Sequence, residues 1–392
     1  MQNIQEYLKE LREAHSKYSI FIISNRPRVL KENLERQLGV IADPEVKTII
    51  MTNKECMGEV AEICKEIKNK RPDIDVGIIE YHGTIALLKN KFPSIPWDEI
   101  CFGRLIGRKN LALLLGQMTN KGIIFLDDDI LPEADWLEKY KDLFAEGYEL
   151  ITGSYVGHNA SFLDIIDKII YDINKDILDG EILSNFLRRS PSLDYKKVLF
   201  VCGGNMGITP SLARRMCFDP SNYRIEDLNY WVAASKLEIK CTYNDVLKNP
   251  DSYENMINKL PFGEHKNQPI DKATFNSGLI EDIKSQIIGR AIAAYILNNF
   301  EVDWEKIIQE AKRTEKEVHN KLQAGFDIIK NELTKADMDG RFGKENVSIL
   351  KEISHLDETD YIVSDSEIKT EVLRFHNSLS RWNDAISTIN RL

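Results

Sequence analysis

The chain has 392 residues, of which 43% are hydrophobic, and this is enough apolar material for one large domain or two modest ones. Its formal charge of -10 argues against non-specific nucleic-acid binding, which needs clustered cations that displace counterions. None of the six cysteines forms a CxxC pair and most have apolar neighbours, which favours a reducing, cytoplasmic location.

Residues 1–15 predict a polar amphipathic helix without the apolar centre of a signal peptide. No apolar run reaches the roughly 18 residues that a membrane span needs. We therefore expect a soluble protein without a transmembrane segment.

Short apolar strands alternate with helices through the first third of the chain. The predicted strands are 18–24, 46–52, 75–81 and 121–126, and the predicted helices are 28–39, 55–69 and 107–119. This alternation predicts right-handed βαβ units and a mainly parallel α/β sheet. In such sheets ligands bind beyond the carboxyl ends of the strands.

The pattern changes along the rest of the chain. Strands are predicted at 148–156 and 199–202, with a helical insertion at about 161–190 between them. Helical periodicity then occupies 280–299, 303–335 and 366–390, with polar turns at 337–344 and 357–360. We expect an α/β catalytic domain over 1–275 and a helical C-terminal region over 276–392.

The segment FLDDDILPEADWL runs from an apolar strand directly into Asp127, Asp128 and Asp129. Three adjacent carboxylates repel one another, and a hard divalent cation that is also bound by substrate phosphates would offset that repulsion. If the chain is extended, Asp127 and Asp129 share a face and Asp128 points elsewhere. A solvated acidic turn or a helix cap is the alternative, which the position after a buried strand disfavours.

Four motifs together resemble those of the GT-A fold glycosyltransferases. Asp127 and Asp129 match the DxD motif of that family, Gly203, Gly204 and Asn205 match its glycine-rich loop, Glu226 and Asp227 match its xED motif, and His265 matches its C-terminal metal-binding histidine. Each motif is weak alone, but all four occur in the expected order within residues 18–270. The resemblance implies a Rossmann-like, mainly parallel sheet flanked by helices.

The resemblance also implies roles for these residues. Asp127, Asp129 and His265 would bind Mn²⁺ or Mg²⁺, which neutralises charge on the departing nucleotide. Asp227 would be the catalytic carboxylate, with Glu226 assisting by binding the acceptor. Helix capping is an alternative role for either acid, and an ordinary tight turn is the alternative for the glycines.

The donor implied by the resemblance is a UDP- or GDP-linked sugar. The residues expected to contact it are Ser24, Asn25, Arg26, Asn53, Arg108, Lys109, Asp127, Asp128, Gly203, Gly204 and Asn205. Asn53 stands where many relatives carry an acid that reads uracil, which puts a uridine donor in doubt. An exposed helix face is the alternative for Arg108 and Lys109, and His265 is expected in a loop.

Stereochemistry and acceptor stay open. RIEDLNYW is similar to the large inverting family 2, whereas HKNQPID followed by a helix resembles the retaining enzymes that make glucosyl-3-phosphoglycerate. Mannosylglycerate synthases share the layout of a GT-A core with a helical C-terminal region. The acceptor is expected to be a carbohydrate, a small anionic polyol or a lipid-linked sugar. Arg188 and Arg189 are candidates for binding an anionic acceptor, although an exposed helix end is favoured for them. The C-terminal helices would pack on the core, form a homodimer or touch a membrane, and packing is favoured.

Two other classes compete with glycosyl transfer. Nucleotidyltransferases that make sugar nucleotides also combine a Rossmann-like sheet with metal-binding acids, but they usually carry a glycine-rich loop after the first strand, and SNRPRVL has no glycine. A non-catalytic module that binds nucleotide sugars would be expected to lose at least one motif. The sequence therefore predicts a metal-dependent hexosyltransferase.

Overall fold

The computed structural model describes residues 17–41, 43, 46–74, 76–101, 105–156, 204–220, 226–248, 258–265, 275–333 and 358–391. The predicted leader helix 1–15, the insertion 161–190, the strand 199–202 and the turn 337–344 lie outside these residues, as do Arg188, Arg189 and Gly203.

The strands of the described residues are β1 Tyr18–Ile23, β2 Lys47–Thr52, β3 Val76–Glu80, β4 Gly122–Asp127, β5 Ile130–Pro132, β6 Leu150–Thr152, β7 Ser154–Val156, β8 Asn205–Ile208 and β9 Phe262–His265. The helices are α1 Pro27–Ile41, α2 Met57–Lys70, α3 Tyr81–Lys91, α4 Trp97–Ile100, α5 Leu105–Thr119, α6 Trp136–Ala145, α7 Pro210–Arg215, α8 Glu226–Lys236, α9 Thr242–Lys248, α10 Phe275–Leu297, α11 Trp304–Leu333, α12 Glu358–Tyr361 and α13 Asp365–Ile389.

Six of the described strands form the main sheet, in the order β3-β2-β1-β4-β8-β6. The first four are parallel, while β8 is antiparallel to both β4 and β6. The order reverses between β2-β1 and β4, so the segment after β1 lies beside the ends of both neighbours. That edge is where a doubly wound sheet binds ligands. The predicted α/β class with a mainly parallel sheet and a helical C-terminal region is confirmed.

A second, smaller sheet lies beside this edge, with the order β5-β9-β7. Its strand β5 begins three residues after β4 ends, and β9 pairs with it in antiparallel register. His265 is therefore in a strand and not in the loop that was predicted, because its backbone pairs opposite Ile130.

Two local predictions differ from the structure. The predicted strand 75–81 ends at Glu80, because the Glu80 side chain accepts hydrogen bonds from the backbone N–H groups of His82 and Gly83 and caps α3. The predicted strand 148–156 is two short strands in different sheets, which separate at Gly153. A Cβ at Gly153 would collide with the side-chain amide of Asn205, so only glycine fits there.

The C-terminal helices pack on the α/β part. One apolar cluster runs from Phe21 and Phe125 in the sheet to Tyr295 in α10 and Trp382 in α13. The indole N–H of Trp382 also donates to the backbone oxygen of Ala213, at 2.9 Å. The described helices after residue 275 therefore share one core with the sheet. The predicted turn 357–360 is mostly a helical turn, α12.

Among the described residues, no helix is long and apolar enough to cross a membrane. The five described cysteines are free thiols, of which Cys101, Cys217 and Cys241 are buried.

Candidate functional site

The three adjacent aspartates form a tight turn between the two sheets. Asp127 is the last residue of β4, Asp128 and Asp129 lie in the turn, and Ile130 begins β5. In an extended chain, alternate side chains would share a face. The turn replaces that geometry, so the positions of the carboxylates depend on the side chains around them.

Helix α1 holds this turn through two buried amides one helical turn apart. Gln37 donates from Nε2 to the backbone oxygens of Asp127 and Ile130, both at 2.8 Å. Asn33 donates from Nδ2 to the backbone oxygen of Asp128 at 3.2 Å. Three backbone carbonyl groups that are removed from water in this turn therefore have hydrogen-bond donors inside the protein. The turn is fixed before any ligand arrives.

The segment after β1 supplies the partners of two of the acids. Ser24 donates from its hydroxyl to Oδ2 of Asp128 at 2.6 Å. Arg26 donates from Nε to the same oxygen at 3.3 Å and from Nη2 to Oδ1 of Asp128. The same Nη2 lies 2.8 Å from Oδ2 of Asp129. Asp128 is therefore held by protein groups, and Arg26 bridges it to Asp129.

Asp127 lies against the glycine-rich segment. Its backbone N–H donates to the backbone oxygen of Gly204 at 2.9 Å. A Cβ at Gly204 would collide with the Asp127 carboxylate, so the glycine is required by close approach. The predicted DxD and glycine-rich motifs thus meet here, through Asp127 and Gly204.

Asn205 has a supporting place in this arrangement. Its side chain is fully buried, and Oδ1 accepts hydrogen bonds from Trp136 and Tyr140, both at 2.9 Å. Its Nδ2 donates to the backbone oxygen of Pro261 at 3.2 Å. Both ends of the amide are therefore used inside the protein. We revise the expected role of this side chain from donor contact to support of the site.

Crowding of the carboxylates has an electrostatic consequence. Burial and the charge of Asp129 raise the pKa of Asp127 to about 7, although Lys109 and Arg26 act in the opposite direction. Burial also raises the pKa of Asp128, which Arg26 and Ser24 partly offset. Both raised pKa values mean that the charged form of these carboxylates is destabilised in this region. A bound cation would stabilise the charged form.

The predicted third metal ligand, His265, is far from the turn along the chain but lies in the strand that pairs with β5. The register of β5 and β9 sets the backbone of His265 opposite Ile130, the residue after Asp129. The described side chains, which do not include that of His265, contain no group of three His, Cys, Asp or Glu residues suited to a metal ion.

A buried ion pair joins α5 to the first residue of α8. Lys109 Nζ lies 2.8 Å from Oε1 of Glu226, and the two side chains are only 3% and 7% exposed. Burial lowers the pKa of Lys109, but the charges of Glu226, Asp227 and Asp127 outweigh it and raise the pKa above its usual value. The alternative of an exposed helix face is therefore excluded for Lys109.

This pair changes the roles expected for both residues. Glu226 is buried and bound to Lys109, so we revise its expected role from acceptor binding to anchoring the start of α8. Asp227 is only partly buried, and its Oδ1 accepts from the backbone N–H of Leu228 at 2.8 Å. Asp227 is thus the more accessible acid of the predicted xED motif.

Aromatic contacts also hold helix α8 in place. Phe218 stacks on Tyr230 of α8 with ring centroids 4.3 Å apart, and it meets Phe125 of β4 edge to face. Lys109 Nζ lies 5.2 Å from the centroid of the Phe218 ring. The position of Asp227 relative to the end of β4 therefore depends on Phe218 as well as on the ion pair.

The remaining predicted donor residues lie at the ends of β1 and β2. Asn53 accepts at Oδ1 from the backbone N–H of Cys56 at 3.2 Å, at the start of α2. The Cys56 thiol donates to the backbone oxygen of Asn25 at 3.4 Å. Asn25 is exposed and Asn53 is partly buried. These contacts tie the two strand ends together.

Arg108 lies next to Lys109 but has different surroundings. Its guanidinium carbon is 5.3 Å from the centroid of the Tyr81 ring, and the residue is 6% exposed. Its charge also acts on the Cys56 thiol, where it lowers the pKa against a larger rise from burial. The alternative of an exposed helix face is excluded for Arg108 too, and its side chain lies near Tyr81 and Cys56, which follow β3 and β2.

Sequence reasoning missed Asn33 and Gln37. Both lie on the buried stripe of α1, which otherwise consists of Val29, Leu30, Leu34, Leu38 and Ile41. Polar residues four apart on an apolar stripe are the signal that could have indicated them, because a buried amide needs a specific partner.

Comparisons with known proteins give remote structural likenesses. No family model and no curated protein matches the chain. Similar solved structures include glucosyl-3-phosphoglycerate synthase from Mycobacterium tuberculosis, at 12% identity over 72% of this chain and 83% of that one, with a TM-score of 0.36. A mannosyltransferase from Pyrobaculum calidifontis, in complex with GDP-Man and Mn²⁺, is 10% identical over 98% of this chain and 92% of that one, with a TM-score of 0.41. TarS 1-349 of S. aureus is 9% identical over 96% and 92%, with a TM-score of 0.36.

Proposed function

We propose that this chain is a metal-dependent glycosyltransferase, which moves a hexose from a nucleoside-diphosphate sugar to a hydroxyl acceptor. The observation that carries the proposal is the meeting of three predicted motifs at one edge of the sheet. Asp127 lies against Gly204, and the charges of Asp127, Glu226 and Asp227 all act on the ammonium of Lys109.

The residues at this edge fit a divalent cation. Asp127 and Asp129 offer hard oxygen ligands, and their crowding raises the pKa of Asp127 to about 7. The missing Cβ of Gly204 lets the Asp127 carboxylate lie directly against the backbone of the glycine-rich segment. His265, in the strand paired with the one that follows Asp129, is the proposed third ligand. When bound, Mn²⁺ or Mg²⁺ would offset the negative charge of the leaving diphosphate.

The protein's own groups have distinct tasks in this proposal. Asn33 and Gln37 keep the acidic turn in place, and Glu226 with Lys109 fixes the start of α8. Asp227 is oriented there to receive the proton of the acceptor hydroxyl if the transfer inverts configuration. A retaining transfer would not use Asp227 as that base, so the anomeric configuration of the product decides its role.

The proposed donor site extends from this turn toward β2. Asn25, Arg26 and Asn53 follow the strands β1 and β2, where the nucleotide would bind, and the charge of Arg108 acts on Cys56 in the same region. UDP and GDP remain the candidate nucleotides. The candidate acceptors are a small anionic polyol, a glycan and a lipid-linked sugar, and a homodimer through the C-terminal helices stays part of the proposal.

The Asp129→Ala variant tests the proposal. We expect loss of nucleoside-diphosphate release from UDP- or GDP-hexoses in the presence of Mn²⁺ and an acceptor, with an almost unchanged melting temperature. Asp135→Ala is the matched control, because Asp135 is an exposed acid that pairs with Lys139 one helical turn away. Full activity in Asp129→Ala would contradict the metal assignment. Transfer of the nucleotide rather than the sugar would favour a nucleotidyltransferase.

A further inference from the structure

Arg26 is a half-exposed cation that bridges two enclosed acids. Its side chain is 46% exposed, whereas those of Asp128 and Asp129 are 2% and 5% exposed. One nitrogen, Nη2, contacts both carboxylates, while Nε contacts only Asp128. The bond to Asp129 can therefore break while the guanidinium stays attached to Asp128 through Nε.

Arg26 and a divalent cation would compete for the same acid. Asp129 is a proposed metal ligand, yet in this structure one of its oxygens, Oδ2, accepts a charge-assisted hydrogen bond of 2.8 Å from Arg26. A metal bound at Asp129 would also bring a second positive charge close to the guanidinium. Metal binding alone therefore weakens this ion pair and adds a repulsion between cations.

A diphosphate would remove this competition. Guanidinium groups bind phosphate oxygens through two parallel hydrogen bonds, and half of the Arg26 side chain is accessible to such a ligand. We propose that Arg26 couples metal binding to donor binding: it is the counter-ion of Asp129 in the unliganded protein, and it transfers to the donor diphosphate when metal and nucleotide bind together. This inference rests on the proposed function, because it requires a metal–diphosphate complex at this turn.

Lys109 cannot take the same part. Its ammonium is 3% exposed and lies 2.8 Å from Glu226, so a ligand that approached it would leave a buried carboxylate without its partner. Arg26 can release Asp129 more easily, because Asp128 still accepts hydrogen bonds from Nε of Arg26 and from the hydroxyl of Ser24. The exchange therefore leaves Asp128 with its hydrogen-bond donors, while the metal ion replaces Arg26 as the positive charge beside Asp129.

The experiment compares wild type, Arg26→Met and Arg28→Met by the EPR signal of free Mn²⁺, with no nucleotide and with saturating UDP or GDP. In the wild type we expect nucleotide to increase Mn²⁺ affinity strongly. In Arg26→Met we expect Mn²⁺ alone to bind about tenfold tighter and the increase caused by nucleotide to shrink by about tenfold or more, as loss of one charge-assisted contact implies. Arg28 is the matched control, because it lies two residues away, is 93% exposed and pairs with Glu32. Arg28→Met should behave as wild type.

A purely structural role for Arg26 gives a different result. In that case Arg26→Met would lower the melting temperature, while Mn²⁺ affinity without nucleotide would stay equal or fall, and this outcome overturns the inference. Arg26→Lys decides the question if the Met variant does not fold, because an ammonium keeps the charge but cannot bridge both acids with one planar fork. We expect it to shift both affinities in the same direction as Arg26→Met, by less. If the wild type does not bind Mn²⁺ in the presence of either UDP or GDP, the proposed function itself is contradicted, independently of the role of Arg26.

Discussion

Two cations lie beside the acids of this site, and their surroundings differ. Lys109 and Glu226 are enclosed together, at 3% and 7% exposure, while Arg26 is 46% exposed over acids that are almost fully enclosed. A closed pair is costly to break, because either partner would be left as an isolated buried charge. A half-open pair can exchange its partner for a ligand. The enclosed Lys109–Glu226 pair thus holds its part of the site in place, while the half-exposed Arg26 can also bind a ligand.

The local structure accounts for this difference. Lys109 lies in the first half of α5, and its buried ammonium lies over the ring of Phe218. Arg26 lies directly before Pro27, the first residue of α1, at the edge of the sheet where solvent reaches it. Substitutions in each of the two pairs test this difference.

The largest effect is expected from Lys109→Met. The variant leaves Glu226 buried without its cation, so the free energy of unfolding should fall by about 3–5 kcal/mol. Adding Glu226→Met should restore most of this stability, because two apolar side chains of similar length replace the pair. Urea unfolding followed by circular dichroism measures both effects.

The matched control is an ion pair that is more exposed to solvent. Lys141 lies 2.5 Å from Asp43, with side chains 31% and 17% exposed. Lys141→Met should cost about 1 kcal/mol or less, since water screens such pairs. If Lys109→Met cost no more than Lys141→Met, the closed-pair description would be wrong.

A smaller effect is expected from Gly204→Ala. The added Cβ would meet the Asp127 carboxylate, so we expect a loss of about 1–3 kcal/mol from overpacking, together with weaker Mn²⁺ binding. Gly39→Ala is the control, because Gly39 lies in α1 with nothing within 4 Å of the added atom. That change should stabilise the protein by about 0.5–1 kcal/mol through helix propensity. Equal melting temperatures for the two variants would contradict the close approach at Gly204.

The pH dependence of metal binding should follow Asp127. Its pKa is raised to about 7, mainly by burial, so below that pH a proton occupies the group that the metal needs. Mn²⁺ affinity in the presence of nucleotide should therefore fall by up to about tenfold per pH unit below 7 and level off above it. For the unliganded protein the sign is opposite: a raised carboxyl pKa favours folding at low pH, and this contribution is lost as the pH rises through 7. Calorimetric titrations from pH 5.5 to 8.5 measure the first effect, and a flat profile would contradict it.

Much of the fold could be predicted from the sequence, because the first strands are apolar runs of the right length between helices of regular period. The C-terminal helices were predicted for the same reason. Gly153 and Glu80 show where periodicity is insufficient: one splits a strand through contact with a distant amide, and the other ends a strand by capping the next helix. Such contacts depend on the tertiary structure.

The candidate site was predictable in composition more than in arrangement. Motif order brought Asp127, Gly204 and Asp227 forward as candidates. It gave no indication that Glu226 would be bound to Lys109. It also gave no indication that both ends of the Asn205 amide would form hydrogen bonds inside the protein, with Trp136, Tyr140 and Pro261. Residue type alone does not distinguish a ligand-binding polar group from one that supports it, because both are buried and hydrogen-bonded.

The central claim is that the acidic turn binds a metal–diphosphate complex. The most direct test is the melting temperature of the wild type with UDP, GDP and ADP, each with and without Mn²⁺, beside the same series for Asp129→Ala. A ligand that binds only the folded protein raises this temperature by mass action. We predict that UDP or GDP stabilises the wild type only when Mn²⁺ is present, and that Asp129→Ala loses the effect. No stabilisation by any of the three, or equal stabilisation of the variant, would contradict the claim.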